Sequence, residues 1–391
     1  MTAPPPVNTH IHLPPNFSAF ATVEEAVAAA AAAGLAALGA SNFFDQRVYG
    51  RFRDQALAAG IQPLFGLEFI TWDKALAVDG VRVNDPANPG RIYLTGKAID
   101  PNRTTARTAA LTATIRADND RRADLMVRRL ADWFARQGLD SGLTAARLAA
   151  DVAARAQVPV EWVSLQERHI AQGFQEAVFR LPVARRAELL ERVWASAAVD
   201  PDDAAAVGKA IRDKLLKAGQ VGFAPEAQLS FEAARAQVLE LGGIPCYPVL
   251  ADGADPVCPF EYPPAELAAA LRQRGLHAAE LIPGRNRLAQ VEAHVQALTA
   301  AGLIVLAGTE HNTLERLPLD PGCADGPLPD HLRQLFWQGT CVVAAHQYLT
   351  ASGEPGYVDA AGRPLADDRR RRAELVELGA ALLTAGPNEG K

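Results

Sequence analysis

The sequence predicts an α/β barrel-like domain split by an all-helical segment. Three observations predict it. Residues 1–100 alternate short apolar runs with amphipathic stretches that end at glycines. Residues 101–228 carry only helical periodicity, rich in Ala, Arg and Leu. From residue 229 to 391 the alternation returns. Strand–helix–strand units with short connections imply a mostly parallel sheet. Seven or so parallel strands suit a barrel, and an open doubly wound sheet is the other architecture this pattern allows.

The elements follow in order. Val7–His12 reads as the first strand. Thr22 and Glu25 form a capping-box signature opening an alanine-rich helix that Gly34 closes. Leu35–Ala40 is the second strand, Tyr49–Ala59 a helix ended by Gly60, and Gln62–Ile70 the third strand. After a polar, hairpin-like stretch of Asp, Asn and Pro, Arg91–Thr95 is the fourth. In the helical segment, Ala123–Gln137 and Val183–Ala197 show the clearest amphipathic spacing. Then come a helix at Phe231–Leu241, a strand at Ile244–Ala251, a helix at Glu266–Arg274 and a strand at Ala278–Pro283. A helix at Leu288–Ala301, a strand at Leu303–Gly308 and helices at Leu332–Thr350 and Arg370–Leu383 complete the chain.

Bulk properties narrow the class. With 49% hydrophobic and 21% charged residues, the 391-residue chain has an ordinary globular composition. A net charge of −6 argues against an extended nucleic-acid surface, though not against a small basic pocket. Cys246, Cys258, Cys323 and Cys341 form no C-x-x-C pair, so neither a zinc knuckle nor a disulfide framework is expected. Met1–Pro6 does not read as a signal peptide, and the longest apolar stretch, Ala26–Gly39, is too short to span a bilayer. The expectation is a cytoplasmic protein without membrane partners.

Chemistry concentrates at the predicted strand ends, where parallel α/β folds collect their active residues. The first strand ends in His10-Ile11-His12, whose two imidazoles project to one face because side chains alternate along a strand. The third ends in Gly66-Leu67-Glu68, the strand after the helical segment in Asp252-Gly253, and the last in Glu310-His311-Asn312. Histidine and carboxylate together are the ingredients of a divalent-metal site.

These stretches, with GIQPLFGLE (60–68), GRIYLTGKAID (90–100) and the run from Pro225 to Gly253, give the chain its resemblance to a known family. It resembles a divergent member of the polymerase and histidinol phosphatase (PHP) superfamily, in the nucleotide-phosphoesterase branch with a helical insertion after the fourth strand. The resemblance implies a distorted (β/α)7 barrel of PHP type, whose mouth binds up to three metal ions and hydrolyses phosphate esters. It assigns His10, His12, Glu68 and Glu310 to one ion: zinc, manganese or iron. The family's other ligands are altered. Its second motif falls on Ala40-Ser41-Asn42, its fourth-strand histidine on Tyr93, its A-H-P histidine on Asp252, and its final histidine on Asn312. The losses imply one ion per chain rather than three, with Ser41, Asn42, Tyr93 and Asn312 lining the pocket.

The expected activity is hydrolysis of a small phosphorylated substrate, a nucleotide among the candidates, by a metal-activated water. His311 is a candidate general acid or base if its ring turns inward, and Arg285 can grip a phosphate bidentately. Asp252 is a third catalytic candidate, although an Asp-Gly turn also explains it. Two other readings share these residues: a PHP-fold binding protein that has lost catalysis, and a different metal-assisted hydrolase or lyase. Gly90 to Lys97 fails as a phosphate loop because the spacing is too long and Ala98 replaces the required hydroxyl. No serine-hydrolase elbow or dinucleotide fingerprint occurs.

Overall fold

The computed structural model describes residues 4–194, 199–365 and 369–385. Seven strands form one sheet in chain order: β1 (Val7–Ile11), β2 (Ala37–Phe43), β3 (Gln62–Trp72), β4 (Arg91–Lys97), β5 (Ile244–Val249), β6 (Ala278–Leu281) and β7 (Ile304–Ala307). Ile11 bridges Glu310 in parallel. The backbone N–H of His12 donates to Glu310 O at 2.9 Å, and that of Glu310 to His10 O at 2.8 Å. First and last strands therefore meet, and the sheet is a nearly closed barrel rather than an open doubly wound one. Gly308 permits the seam: a Cβ there would lie 2.4 Å from His10 Cβ.

β1, β5, β6 and β7 are buried at every residue, as strands sandwiched between an interior and covering helices must be. The first residues of the parallel strands (Val7, Ala37, Ile244, Ala278 and Ile304) join one apolar cluster with Trp337, Cys341, Val342 and Ala345 of the helix Asp330–Ala351. That helix lies close under the sheet, since a Cβ at Gly339 would meet Val305 O at 2.0 Å. The apolar seal at the strand starts leaves the strand ends to polar residues.

Three expectations are corrected. The sheet is not wholly parallel: β4 runs antiparallel to both β3 and β5. Antiparallel pairing of Leu67–Trp72 with β4 carries β3 past Ile70, so Glu68 lies within the strand, opposite Thr95, and not at its end. β2 is displaced towards Phe43 because its register with β3 continues to the Phe43–Glu68 pair, which makes Ser41 and Asn42 strand residues. Between β3 and β4 the polar stretch holds a short helix, Lys74–Val78, capped by the Asp73 carboxylate.

The chain separates into two compact units. The first contains the sheet and comprises the described residues of Met1–Leu13, Val23–Thr112 and Gln228–Lys391. The second comprises Pro14–Thr22 and Ala113–Ala227. Its helices include the greater part of Ala106–Arg136, then Ala145–Ala156, Glu167–Phe179, Val183–Val193 and Ala204–Ile211. Residues 195–197 of the predicted helix Val183–Ala197 lie outside the described residues. The core of this unit is apolar, built on Met126, Leu130, Phe134, Ile170 and Val178, with the Phe134 and Phe174 rings stacked at 5.4 Å. Pro14–Thr22 joins it through Phe17, whose N–H donates to the Gln166 side chain at 2.6 Å and whose ring meets His169 edge-on.

Candidate metal centre

His10 of β1 and His12, the residue after the strand's end, are two apart along an extended run, so their side chains project together, and both are fully buried. Their Nε2 atoms are 3.4 Å apart, and His12 Nε2 lies 3.3 Å from a carboxylate oxygen of Glu68. Ligand atoms of His10, His12 and Glu68 all lie within 4.8 Å of one another. His12 stacks on Phe43 at the end of β2, 5.2 Å between ring centres.

The hydrogen-bond pattern suits a cation. His10 Nδ1 is 2.6 Å from Glu280 Oε2, which directs the Nδ1 proton outward and leaves the Nε2 lone pair facing the cluster. His12 Nδ1 is buried with no hydrogen-bond partner among the described residues. Two imidazole nitrogens and a carboxylate oxygen therefore converge within reach of a single cation that could accept all three donors. Nitrogen and oxygen donors in this ratio fit zinc, manganese or iron.

Glu310 stands beside this trio without joining it. Its carboxylate pairs with Arg285 and accepts from Asn312 Nδ2 at 2.8 Å. Burial pushes its carboxyl up, but Arg285 and the nearby His10 and His12 outweigh burial and hold it below the ordinary carboxylate range. Glu310 and His311 are successive non-glycine residues in the left-handed region, at φ 62° and 51°. Ala251, after β5, shares it at φ 47°. Backbone strain of this kind is kept where the surroundings fix a functional loop.

The other expected residues are dispersed. His311 turns its ring to Thr309 Oγ1 (2.7 Å) and Leu317 O (2.9 Å), and burial lowers its imidazole against the raising effect of the Leu317 carbonyl. Asp252 accepts from the Arg287 side chain at 2.8 Å. Neither is among the residues whose ligand atoms converge. Asn42 clasps the backbone of Leu13 through both its amide atoms, at 2.8 and 3.0 Å. Ser41 accepts from Lys97 Nζ at 3.0 Å, Tyr93 is half-buried opposite Ile70, and Arg285 lies 3.4 Å from Asn312 Oδ1.

Sequence reasoning missed the group behind His10. Glu280, fully buried in β6, also takes Lys97 Nζ at 2.8 Å and the Thr9 hydroxyl at 2.5 Å. Burial raises its carboxyl, but Lys97 and His10 overcome burial and bring it down to about 2. The available signal was a charge inside an otherwise apolar strand, Ala278-Ala279-Glu280-Leu281. Charges are rarely fully buried unless paired.

No protein-family profile matches the chain, and no curated protein matches it. Solved structures do. A protein from Bifidobacterium adolescentis, provisionally described as a metal-dependent phosphoesterase, aligns with TM-score 0.56 and 18% identity over 85% of this chain and 96% of that one. An amidohydrolase from Chromobacterium violaceum, with bound sulfate and no metal, aligns with TM-score 0.50 and 18% identity over 84% and 95%. The chain shares the fold of these two hydrolases.

Proposed function

We propose that the protein is a metal-dependent hydrolase of a small phosphate ester, built on a PHP-type barrel with residues 101–228 as a helical insertion. The convergence of His10, His12 and Glu68 carries this reading. One divalent ion per chain is held by these three residues, with Glu310 as the adjacent carboxylate. Bound there, such an ion lowers the pKa of a water towards ~7 and polarises a phosphoryl oxygen. Arg285, one-third exposed beside Glu310, holds the substrate's phosphoryl oxygens through its planar fork. The description of one structural neighbour as a phosphoesterase, and the sulfate in the other, support an oxyanion substrate. In this reading Asp252 and His311 keep the two flanking loops in place through their hydrogen bonds. Among the described residues no helix is long and apolar enough to cross a membrane. The four free cysteines suit a reducing compartment, and we place the enzyme in the cytoplasm on that ground.

Metal analysis and a phosphate-ester screen test the proposal. Protein prepared without chelator is expected to carry about one ion per chain and to hydrolyse a phosphomonoester or nucleotide. His12→Ala is expected to lose the ion and roughly 100-fold or more of the activity, as for removal of a metal ligand's contribution. Activity that survives that substitution, or a metal content under about a tenth of an ion per chain, rejects the reading. Amide hydrolysis is the second reading, favoured by the Chromobacterium neighbour's description. Turnover of an N-acyl substrate, with none of any phosphate ester, would select it.

A further inference from the structure

We infer that Glu280 is a positioning residue for His10, fixing which ring nitrogen of that histidine faces the metal; the inference rests on the metal-centre reading above. An ionised carboxylate only accepts hydrogen bonds. Glu280 Oε2, 2.6 Å from His10 Nδ1, therefore keeps the proton on Nδ1 and leaves Nε2 as the lone pair. That lone pair lies on the side of His12 Nε2, 3.4 Å away.

The carboxylate itself is clamped. Its Oε1 faces Lys97 Nζ at 2.8 Å and the Thr9 hydroxyl at 2.5 Å. Lys97 has its other protons on Thr9 O and Ser41 Oγ, each at 3.0 Å. With three donors and three acceptors matched in a buried site, the ammonium cannot swing away without stranding a charge. Thr9 of β1, Ser41 of β2, Lys97 of β4 and Glu280 of β6 thus form a lattice that ends at His10, also of β1. Gly308 closes the remaining side, since any Cβ there would strike His10 Cβ at 2.4 Å. Glu280 is not among the converging ligands. It would therefore act on an ion through the orientation and tautomer of His10 rather than by ligating it.

Zn2+ titrated into metal-stripped, full-length protein against a chromophoric chelator tests this, together with histidine 1H–15N spectra of the metal-free wild type. The paired variant Lys97→Met/Glu280→Met removes the acceptor without leaving either charge unpaired. It is expected to bind Zn2+ roughly 10- to 100-fold more weakly with an unchanged circular dichroism spectrum, the usual loss when a ligand histidine forfeits its second hydrogen bond. Glu280→Gln, whose amide oxygen still accepts, is expected to fall between the two. The spectra are expected to place the His10 proton on Nδ1. Wild-type affinity in the paired variant, alongside its loss in His12→Ala, overturns the positioning role and leaves the metal centre standing. A wild type that binds no Zn2+ overturns both. If the paired variant does not fold, the wild-type spectra decide, and a His10 proton on Nε2 overturns the inference.

Discussion

The two units differ in the polar groups they bury beside their apolar cores. The helical unit buries an apolar cluster around Phe134 and Phe174, held by area and packing density. Beside its apolar cluster, the barrel interior buries Lys97, Glu280, His10, His12 and Glu68: Lys97 and His10 pair with Glu280, and His12 Nε2 lies against Glu68 while its Nδ1 has no hydrogen-bond partner among the described residues. Replacing a buried ion pair by apolar residues is often neutral or stabilising, so a buried charge network is weak evidence of selection for stability. The difference fits the proposed positioning role: the barrel's polar lattice of Thr9, Ser41, Lys97 and Glu280 ends on His10, whereas the Phe134–Phe174 core of the helical unit is apolar packing.

Removing one member of the lattice sharpens the contrast most. Lys97→Met leaves Glu280 buried beside His10 without its main counter-charge, and is expected to lower the unfolding free energy by about 3–5 kcal/mol and to weaken Zn2+ binding. A loss under about 1 kcal/mol in a urea titration would show the barrel interior to be no more charge-dependent than a surface pair. Phe134→Ala in the helical unit is expected to cost about 3 kcal/mol through the cavity it leaves, with Zn2+ affinity unchanged. Weakened Zn2+ binding in that variant would erase the division between the units.

A third test concerns Glu261, a second buried carboxyl of the barrel unit, which accepts from Leu250 N, Ala251 N and the Tyr247 hydroxyl. Burial dominates these bonds and pushes its carboxyl up to about 7. A value raised in the folded state means that the fold binds the proton more tightly. The stability this contributes is full below the unfolded carboxyl value and is lost as pH rises through about 7. Relative to Glu261→Gln, the wild type is expected to lose up to about 3 kcal/mol between pH 5 and pH 8. Parallel stability curves for the two proteins would dismiss it. The smallest effect is expected at the rim: Arg285→Ala should raise KM roughly 10-fold, about 1.4 kcal/mol, at unchanged metal content. An unchanged KM would remove Arg285 from substrate binding.

Much of this was legible in the chain. Helices announced themselves by caps and glycine stops, and Tyr49–Ala58, Phe231–Glu240 and Leu288–Ala300 fall within a residue of expectation. The i, i+2 spacing of His10 and His12 foretold their shared face, because alternation is a local property of a strand. The errors share a cause in pairing. Nothing local to Arg91–Lys97 distinguishes an antiparallel strand from a parallel one, and that direction moved Glu68 from a strand end to mid-strand. Glu310 and His311 were legible as polar residues after a strand, but their left-handed backbone and their commitments to Arg285 and Leu317 depend on loops that fold back.

By itself, then, the sequence determined the alternating elements, the apolar strand starts and the histidine pair, all of which follow from periodicity and local sterics. Tertiary structure alone decided what stands around those histidines. Glu280 lies 270 residues from His10 along the chain, and only closure of β1 onto β7, with β6 alongside, sets its carboxylate against Nδ1. A contact at that separation has no local signature, since it is fixed by strand order, register and the steric permission of Gly308.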